Sequence, residues 1–474
     1  MVSKSKIFFN IRIPYIRIGK PGFSLLAFMT RIVTMSDTKL SLGYAWYAVA
    51  LLTLANISSF LDRQILALLV PFIKRDMHLS DTKVSLLMGL SFAMFYTIFG
   101  IMIGRLADRS NRRNIIMTGI VVWSIMTSLC AGVKTYTQFF FARMAVGVGE
   151  ATLSPSGYSM ITDYFPKRKL ALAMSVFTLG IFLGSGLALA IGAGLVANLP
   201  KERTVHIPLF GEIYHWQTLF LIIGLPGLLI SLLMLTVKEP LRKDLHPREG
   251  RQSNFNLRET LFIIFKYPKA YLGISLGTAF TAFINYGMSA WMPTYLNRTF
   301  AWSIPKAGLH YGLVLCAGAI SGVLWGGWYA DKLKSKGVSN GRVRVGVIAG
   351  IAGISCSFTP LINDPYWVLA AVFLPSFFLA SPMGACTTAI QELMPNQVRA
   401  LASAIFLFII NMIGMGLGPS IVAVFTDYVF KDEQAIRYSL TSLMLIGGVL
   451  ASLFYIIGYK AYKNAMERTL MQHG

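Results

Sequence analysis

Acidic residues are scarce in this 474-residue chain: 20 Asp and Glu stand against 43 Lys and Arg, and charged residues together make up only 13%. A soluble globule carries about twice that share, so the chain has too little polar surface to coat one. Cysteine is rarer still. Cys130, Cys316, Cys356 and Cys386 fall in apolar stretches with no paired spacing, which excludes a disulfide framework and a structural metal site. The six histidines are dispersed, whereas an iron- or zinc-dependent membrane enzyme needs several at helical spacing. A GxxxxGK[ST] loop is absent, which excludes a pump driven directly by ATP through a P-loop. Neither an enzyme nor a cofactor is expected.

What is abundant is apolar length. Hydrophobic residues make up 55% of the chain and the mean hydropathy is +0.60. A helix that crosses the hydrocarbon core needs about 20 mostly apolar residues. Such runs fall at 45–71, 83–105, 114–133, 137–162, 170–197, 216–237, 268–296, 307–330, 343–362, 366–392, 400–427 and 437–460. The expected fold is an all-α membrane protein of twelve transmembrane helices in two six-helix bundles. Its parts are a tail over 1–40, bundles over 41–237 and 268–462, a central loop over 238–267 and a tail over 463–474.

Lys and Arg concentrate in alternate loops, which by the positive-inside rule places both termini in the cytoplasm. Topology and anionic headgroups therefore account for the net charge of +23, and no nucleic-acid partner is expected. Residues 1–35 hold six basic residues, no acid and an apolar run too short to span. They read as a cytoplasmic tail rather than a signal peptide, with translation from Met35 as an alternative.

Two internal repeats define the architecture. GRLADRSNRR (104–113) follows the second run and GGWYADKLKSK (326–336) the eighth, aligning Gly104, Ala107 and Asp108 with Gly327, Ala330 and Asp331. Pro166 with KRKLALA after the fourth run matches Pro395 with NQVRALA after the tenth. Duplicated halves in one membrane chain are the mark of a transporter with its solute site between them.

These residues carry a resemblance. GRLADRSNRR looks like the loop between helices two and three of the major facilitator superfamily, and Arg143 with Gly147 and Gly149 resembles its fourth-helix motif. FLDRQILALLVPFIKRDMHLSDTKVSLL and FFFARMAVGVGEATLSPSGYSMITDYFP resemble the spinster branch. The resemblance implies alternating access, carriage of lysolipid- or sphingolipid-like solutes and acids that take a proton during transport. TLGIFLGSGLALAIG resembles the antiporter motif of helix five without its usual proline.

Four charges interrupt the apolar runs: Asp62 and Arg63 in the first, Arg143 and Glu150 in the fourth. Neighbours on a helix point about 100° apart, so Asp62 and Arg63 cannot simply neutralise each other. An unpaired charge at mid-membrane costs at least ~2.5–3.5 kcal/mol. Arg143 and Glu150, seven apart, share a face at a depth that brackets Asp62, so all four can converge on one cavity. One reading is a static packing cluster. The other, which the resemblance supports, makes Asp62 and Glu150 the proton-coupling acids and Arg63 and Arg143 their partners or the anchors of an anionic solute.

Asn285 and Tyr286, beside a glycine on helix seven where such carriers break the helix, are candidate cavity residues, as are His310 and Asn411. Glu392 lies near a helix end and reads as structural. Gly104, Asp108, Arg109, Arg112, Arg113 and Asp331 form a candidate conformational latch, an acid in that loop favouring a helix N-terminus of the other half. The expected protein is a monomer of the bacterial inner membrane that moves an amphipathic or anionic organic solute with protons among membrane lipids. Uptake of a sugar acid is the alternative cargo reading, and a non-transporting receptor or scaffold the alternative class.

Overall fold

A computed structural model describes residues 41–200, 202–208, 210–242, 264, 266–395 and 398–473; the tail over 1–40 and most of the central loop lie outside this part. Helices α1 (Leu42–Met77), α2 (Asp81–Met88 continued by Leu90–Arg109), α3 (Arg112–Leu129), α4 (Tyr136–Glu150 continued by Leu153–Tyr164), α5 (Lys167–Ala197) and α6 (His215–Met234) make the first half. The second half repeats the order with α7 (Pro268–Phe300), α8 (Ile304–Ser335), α9 (Gly341–Ser355), α10 (Pro365–Ala380 with Pro382–Leu393), α11 (Arg399 to Phe430) and α12 (Ile436–His473). α12 thus stays helical through residues expected to form a tail.

Composition alone marks ten of the twelve as membrane spans. The other two, α4 and α7, are those enriched in polar residues. α4 carries Arg143 and Glu150, and its regular hydrogen bonding is interrupted at Ala151 and Thr152. α7 carries Asn285, Tyr286 and several Ser and Thr, yet runs unbroken for 33 residues, so the break expected beside Asn285 is absent. Its ladder continues through Gly287, where a Cβ would meet the Gly418 carbonyl of α11 at 2.9 Å. The glycine there serves close helix packing, not a break. The distortion sits instead in α11, whose stretches Asn411–Leu417 and Phe425–Phe430 are π-helical.

Local chemistry sets the connections. Asn111, Thr135, Ser303 and Asp364 each accept a backbone N–H at a helix start, and Thr135 and Gln138 complete a capping box. Between α5 and α6 lies a feature the all-α expectation omits, a hairpin of β1 (Thr204–Ile207) and β2 (Gly211–Tyr214) pairing Thr204 with Tyr214. Gly211 supplies the positive φ of the turn, and Asp76 at the end of α1 holds the hairpin base through Arg203 (2.8 Å) and the Trp216 indole (3.0 Å).

The halves meet along α5 and α8, α2 and α11, and α1 and α7. Glycine permits the closest approaches. A Cβ on Gly186 would stand 2.6 Å from the Gly312 carbonyl, and one on Gly312 would stand 2.7 Å from that of Gly186. At the end opposite the repeated basic loops, polar contacts join the halves. Asp81, wholly buried, takes Arg298 of α7 at 2.6 and 2.8 Å and Lys74 at 2.5 Å. Lys74 also reaches Glu433 (2.8 Å), and Asp427 accepts from Thr82 (2.7 Å). This end is closed.

Candidate solute and proton site

The four membrane charges resolve into two buried pairs. Arg143 Nη1 donates to Asp62 Oδ1 at 2.8 Å while the Thr127 hydroxyl donates to Oδ2. Arg63 Nε donates to Glu150 Oε2 at 2.6 Å, an oxygen that also accepts from the Ser59 hydroxyl. The crossed pattern follows from helical geometry: Asp62 and Arg63 leave α1 in different directions, so each meets a different residue of α4.

The pairs differ in surroundings. Both oxygens of Asp62 are engaged, and Asp62 and Arg143 are 2% and 0% exposed. Glu150 is equally buried, but among the described residues its Oε1 has no hydrogen-bond partner. Leaving such an atom unmatched costs about 1–3 kcal/mol, a cost that a water entering beside it would offset. Arg63 keeps 15% of its side chain accessible, with its guanidinium against Phe60 (4.8 Å), Phe92 (4.5 Å) and Tyr96 (4.8 Å). Such faces stabilise a cation while leaving its N–H edges free. Among the described residues, no hydrogen bond reaches either terminal nitrogen of Arg63.

Arg63 lines a cavity of about 40 Å³ between the halves. Gln64, Phe60 and Phe92 from the first half share the wall with Tyr286, Ser289 and Met415 from the second. Of the four charges, Arg63 alone reaches it; the expected convergence of all four on one cavity gives way to two buried pairs inside the first half, with Asp62, Arg143 and Glu150 behind the wall. Tyr286 is in the lining and Asn285 is not. Asn411 opens the π-helical stretch that carries Met415. His310 lies away from the cavity: its Nδ1 faces the Lys306 carbonyl (2.9 Å) and its ring packs on Trp302.

The latch candidates divide. Arg112, 1% exposed, is fastened inside the first half to Asp163 (2.5 Å), Glu239 (2.7 Å) and the Ser159 carbonyl (3.1 Å). The Arg113 backbone N–H donates to Glu239 (2.9 Å). Gly104 has Pro155 Cβ 4.0 Å from where its own Cβ would be, and Arg109 is exposed. Asp331 lies 3.8 Å from Arg342, and the side chain of Asp108 lies outside the described part. The second half repeats the Arg112 arrangement: Arg342 at the start of α9 grips Glu392 near the end of α10 (3.0 Å), and Tyr462 of α12 donates to the same carboxylate (3.0 Å). Asp163 and Glu239 escaped the sequence reading. The signal was there, since Asp163 and Glu392 each precede by three residues the prolines that align the repeats.

Comparison with known proteins decides the family. Residues 52–419 match the model of the Major Facilitator Superfamily. The chain belongs to that superfamily. It is therefore a multi-pass membrane transporter and not an enzyme. Among its relatives, an MFS-type efflux pump of Mycolicibacterium smegmatis is 27% identical over 89% of this chain and 94% of its own. Protein spinster homolog 3 of Danio rerio is 24% identical over 90% and 86%. In fold, the chain is similar to a bacterial homologue of the human lysosomal transporter Spinster in an inward-facing, unoccupied conformation, with a TM-score of 0.74, 24% identity and coverage of 90% and 99%.

Proposed function

We propose that this superfamily member couples protons to the movement of an amphipathic organic anion, lysolipid- or sphingolipid-like in character, by alternating access. The observation that carries the reading is Arg63: a guanidinium at the cavity wall, held by three aromatic faces and bound to Glu150 through Nε alone, so that both terminal nitrogens remain for a carboxylate or phosphate. Phe60, Ala67, Met88 and Pro419 in the same wall suit an apolar body.

Glu150 and Asp62 are the proposed proton carriers. A proton on Glu150 removes the charge that competes for Arg63, favouring the solute's anion there, and its release restores the pair and expels the solute. The Asp62–Arg143 pair behind it senses the change through the shared field. We place both termini in the cytoplasm of a bacterial inner membrane, which makes the closed end the outer one, and we take the carrier to be a monomer. Lysophosphatidate and short organic acids offered to the purified protein in liposomes under an imposed pH gradient test the reading. Accumulation that collapses when the gradient is dissipated supports it; transport indifferent to the gradient, or restricted to cations and neutral solutes, refutes it.

A further inference from the structure

Next to Arg63 on α1, Gln64 donates through Nε2 to Ser289 Oγ of α7 at 2.9 Å, a hydrogen bond from one half to the other. Both residues line the cavity, and Ser289 is 5% exposed. The carboxamide has a second polar atom. Among the described residues nothing donates to Gln64 Oε1, and nothing engages the hydroxyl of Tyr286, one helical turn before Ser289 on the same face of α7. The rest of the wall near them is Met88, Ala290, Met415 and Pro419. A cavity that is otherwise apolar thus gathers three uncharged polar groups beside the one cation.

We infer that Gln64, with Ser289 and Tyr286, forms a hydroxyl-recognition subsite, so that the transported anion carries a hydroxyl a few bonds from the acidic group held by Arg63. This rests on the anion reading of Arg63 above. The physical case is one of compensation. A solute entering between the halves must part Gln64 from Ser289, and an apolar solute leaves an amide N–H, a carbonyl and a hydroxyl desolvated without partners. A hydroxyl both donates and accepts. It donates to Gln64 Oε1 and accepts from Gln64 Nε2, Ser289 or Tyr286, restoring the link between the halves through the solute. Sites built to hydrogen-bond a hydroxyl reject the analogue lacking it more sharply than apolar pockets reject an added one. Because the anchor is the pairing of an acid with a nearby hydroxyl, a 2-hydroxy acid and a lysophosphatidate present the same chemistry from two sources.

The test uses the full chain in lipid nanodiscs and two matched pairs: 2-hydroxyoctanoate with octanoate, and 1-oleoyl lysophosphatidate with its 2-deoxy analogue. Binding is measured by titration calorimetry. The wild type is expected to favour the hydroxylated member of at least one pair by roughly tenfold, and the pair that shows it identifies carboxylate or phosphate as the source. Gln64→Met should bring the two members to within about twofold, because the hydroxylated member loses its partner and the deoxy member no longer strands the amide. Ser289→Ala, a smaller change made in the other half, should weaken the preference in the same direction. Wild type that binds both members of each pair equally overturns the subsite while leaving the anion reading intact. So does a preference that survives both substitutions. If neither pair binds, the anion reading fails and the subsite with it.

Discussion

Replacing Glu150 with Gln separates a proton switch from a packing contact. Gln has nearly the same volume and keeps an acceptor for the Ser59 hydroxyl and Arg63 Nε, both of which converge on one oxygen of Glu150. What disappears is the charge and the capacity to take a proton. A hydrogen bond to an ionised group is worth about 1.5–3 kcal/mol and a neutral one about 1, so the substitution costs ~1–2 kcal/mol. Arg63 is not stranded, because three aromatic faces within 4.8 Å still hold its guanidinium. The melting temperature should therefore fall by only a few degrees. Transport should change far more. Accumulation against a concentration gradient, driven by a pH gradient in liposomes, should be abolished, while exchange of labelled for unlabelled solute at equal concentrations persists. Undiminished gradient-driven accumulation by the well-folded variant would refute Glu150 as a proton carrier.

Other perturbations follow from the same geometry. Asp62→Ala leaves Arg143 buried and unpaired and should cost ~3–5 kcal/mol, seen as a large loss of folded yield and melting temperature; a near-normal melt would show that Arg143 finds another partner. Asp81→Asn removes the carboxylate shared by Arg298 and Lys74 and should weaken closure of that end by at least ~2 kcal/mol. Distances between spin labels on α2 and α11 at that end should gain a longer population, and an unchanged distribution would count against the ion pairs as the fastening. Gly312→Val places side-chain atoms where the Gly186 carbonyl lies, so it should bias the same label pair toward separation and slow transport; a variant as active as wild type would show that α5 and α8 yield freely.

The twelve helices were legible because membrane solvent imposes a simple rule, and ~20 apolar residues in succession obey it whatever they later touch. The four buried charges were legible for the converse reason, since each violates that rule at a cost. Their pairing was not. Whether Asp62 meets Arg143 or lies beside Glu150 depends on the azimuth of α1 against α4, and tilts of a few degrees over the length of α1 move a side chain by ångströms. The break of α7 expected beside Asn285 and Tyr286 is absent because Gly287 faces α11 rather than a kink, and Tyr286 reaches the cavity on an unbroken helix. The ion pairs of the closed end were invisible for a different reason: Asp81, Arg298 and Glu433 lie in loops and helix ends where charge is ordinary, and nothing local distinguishes a buried acid from a solvated one. The hairpin 204–214 left a clearer trace in Val205, Ile207 and Ile213 around Pro208 and Gly211, but it is short beside the helices it joins.

The reciprocal contact of Gly186 and Gly312 has a mechanical meaning. Side chains that interlock act as teeth: one helix cannot tilt over another without lifting them out of register, and each rotamer that must change adds a barrier. Where two backbones meet on glycine the teeth are few and short, here the bases of Cys316 and Leu189. α5 and α8 then touch as smooth rods touch, with close dispersion contact that changes little as the crossing angle drifts. At such a contact a change of tilt between α5 and α8 costs little packing, so what resists it is the set of polar contacts joining the halves at the closed end. Those fastenings are built from acids, bases and hydroxyls, the groups that protons and solutes can reach.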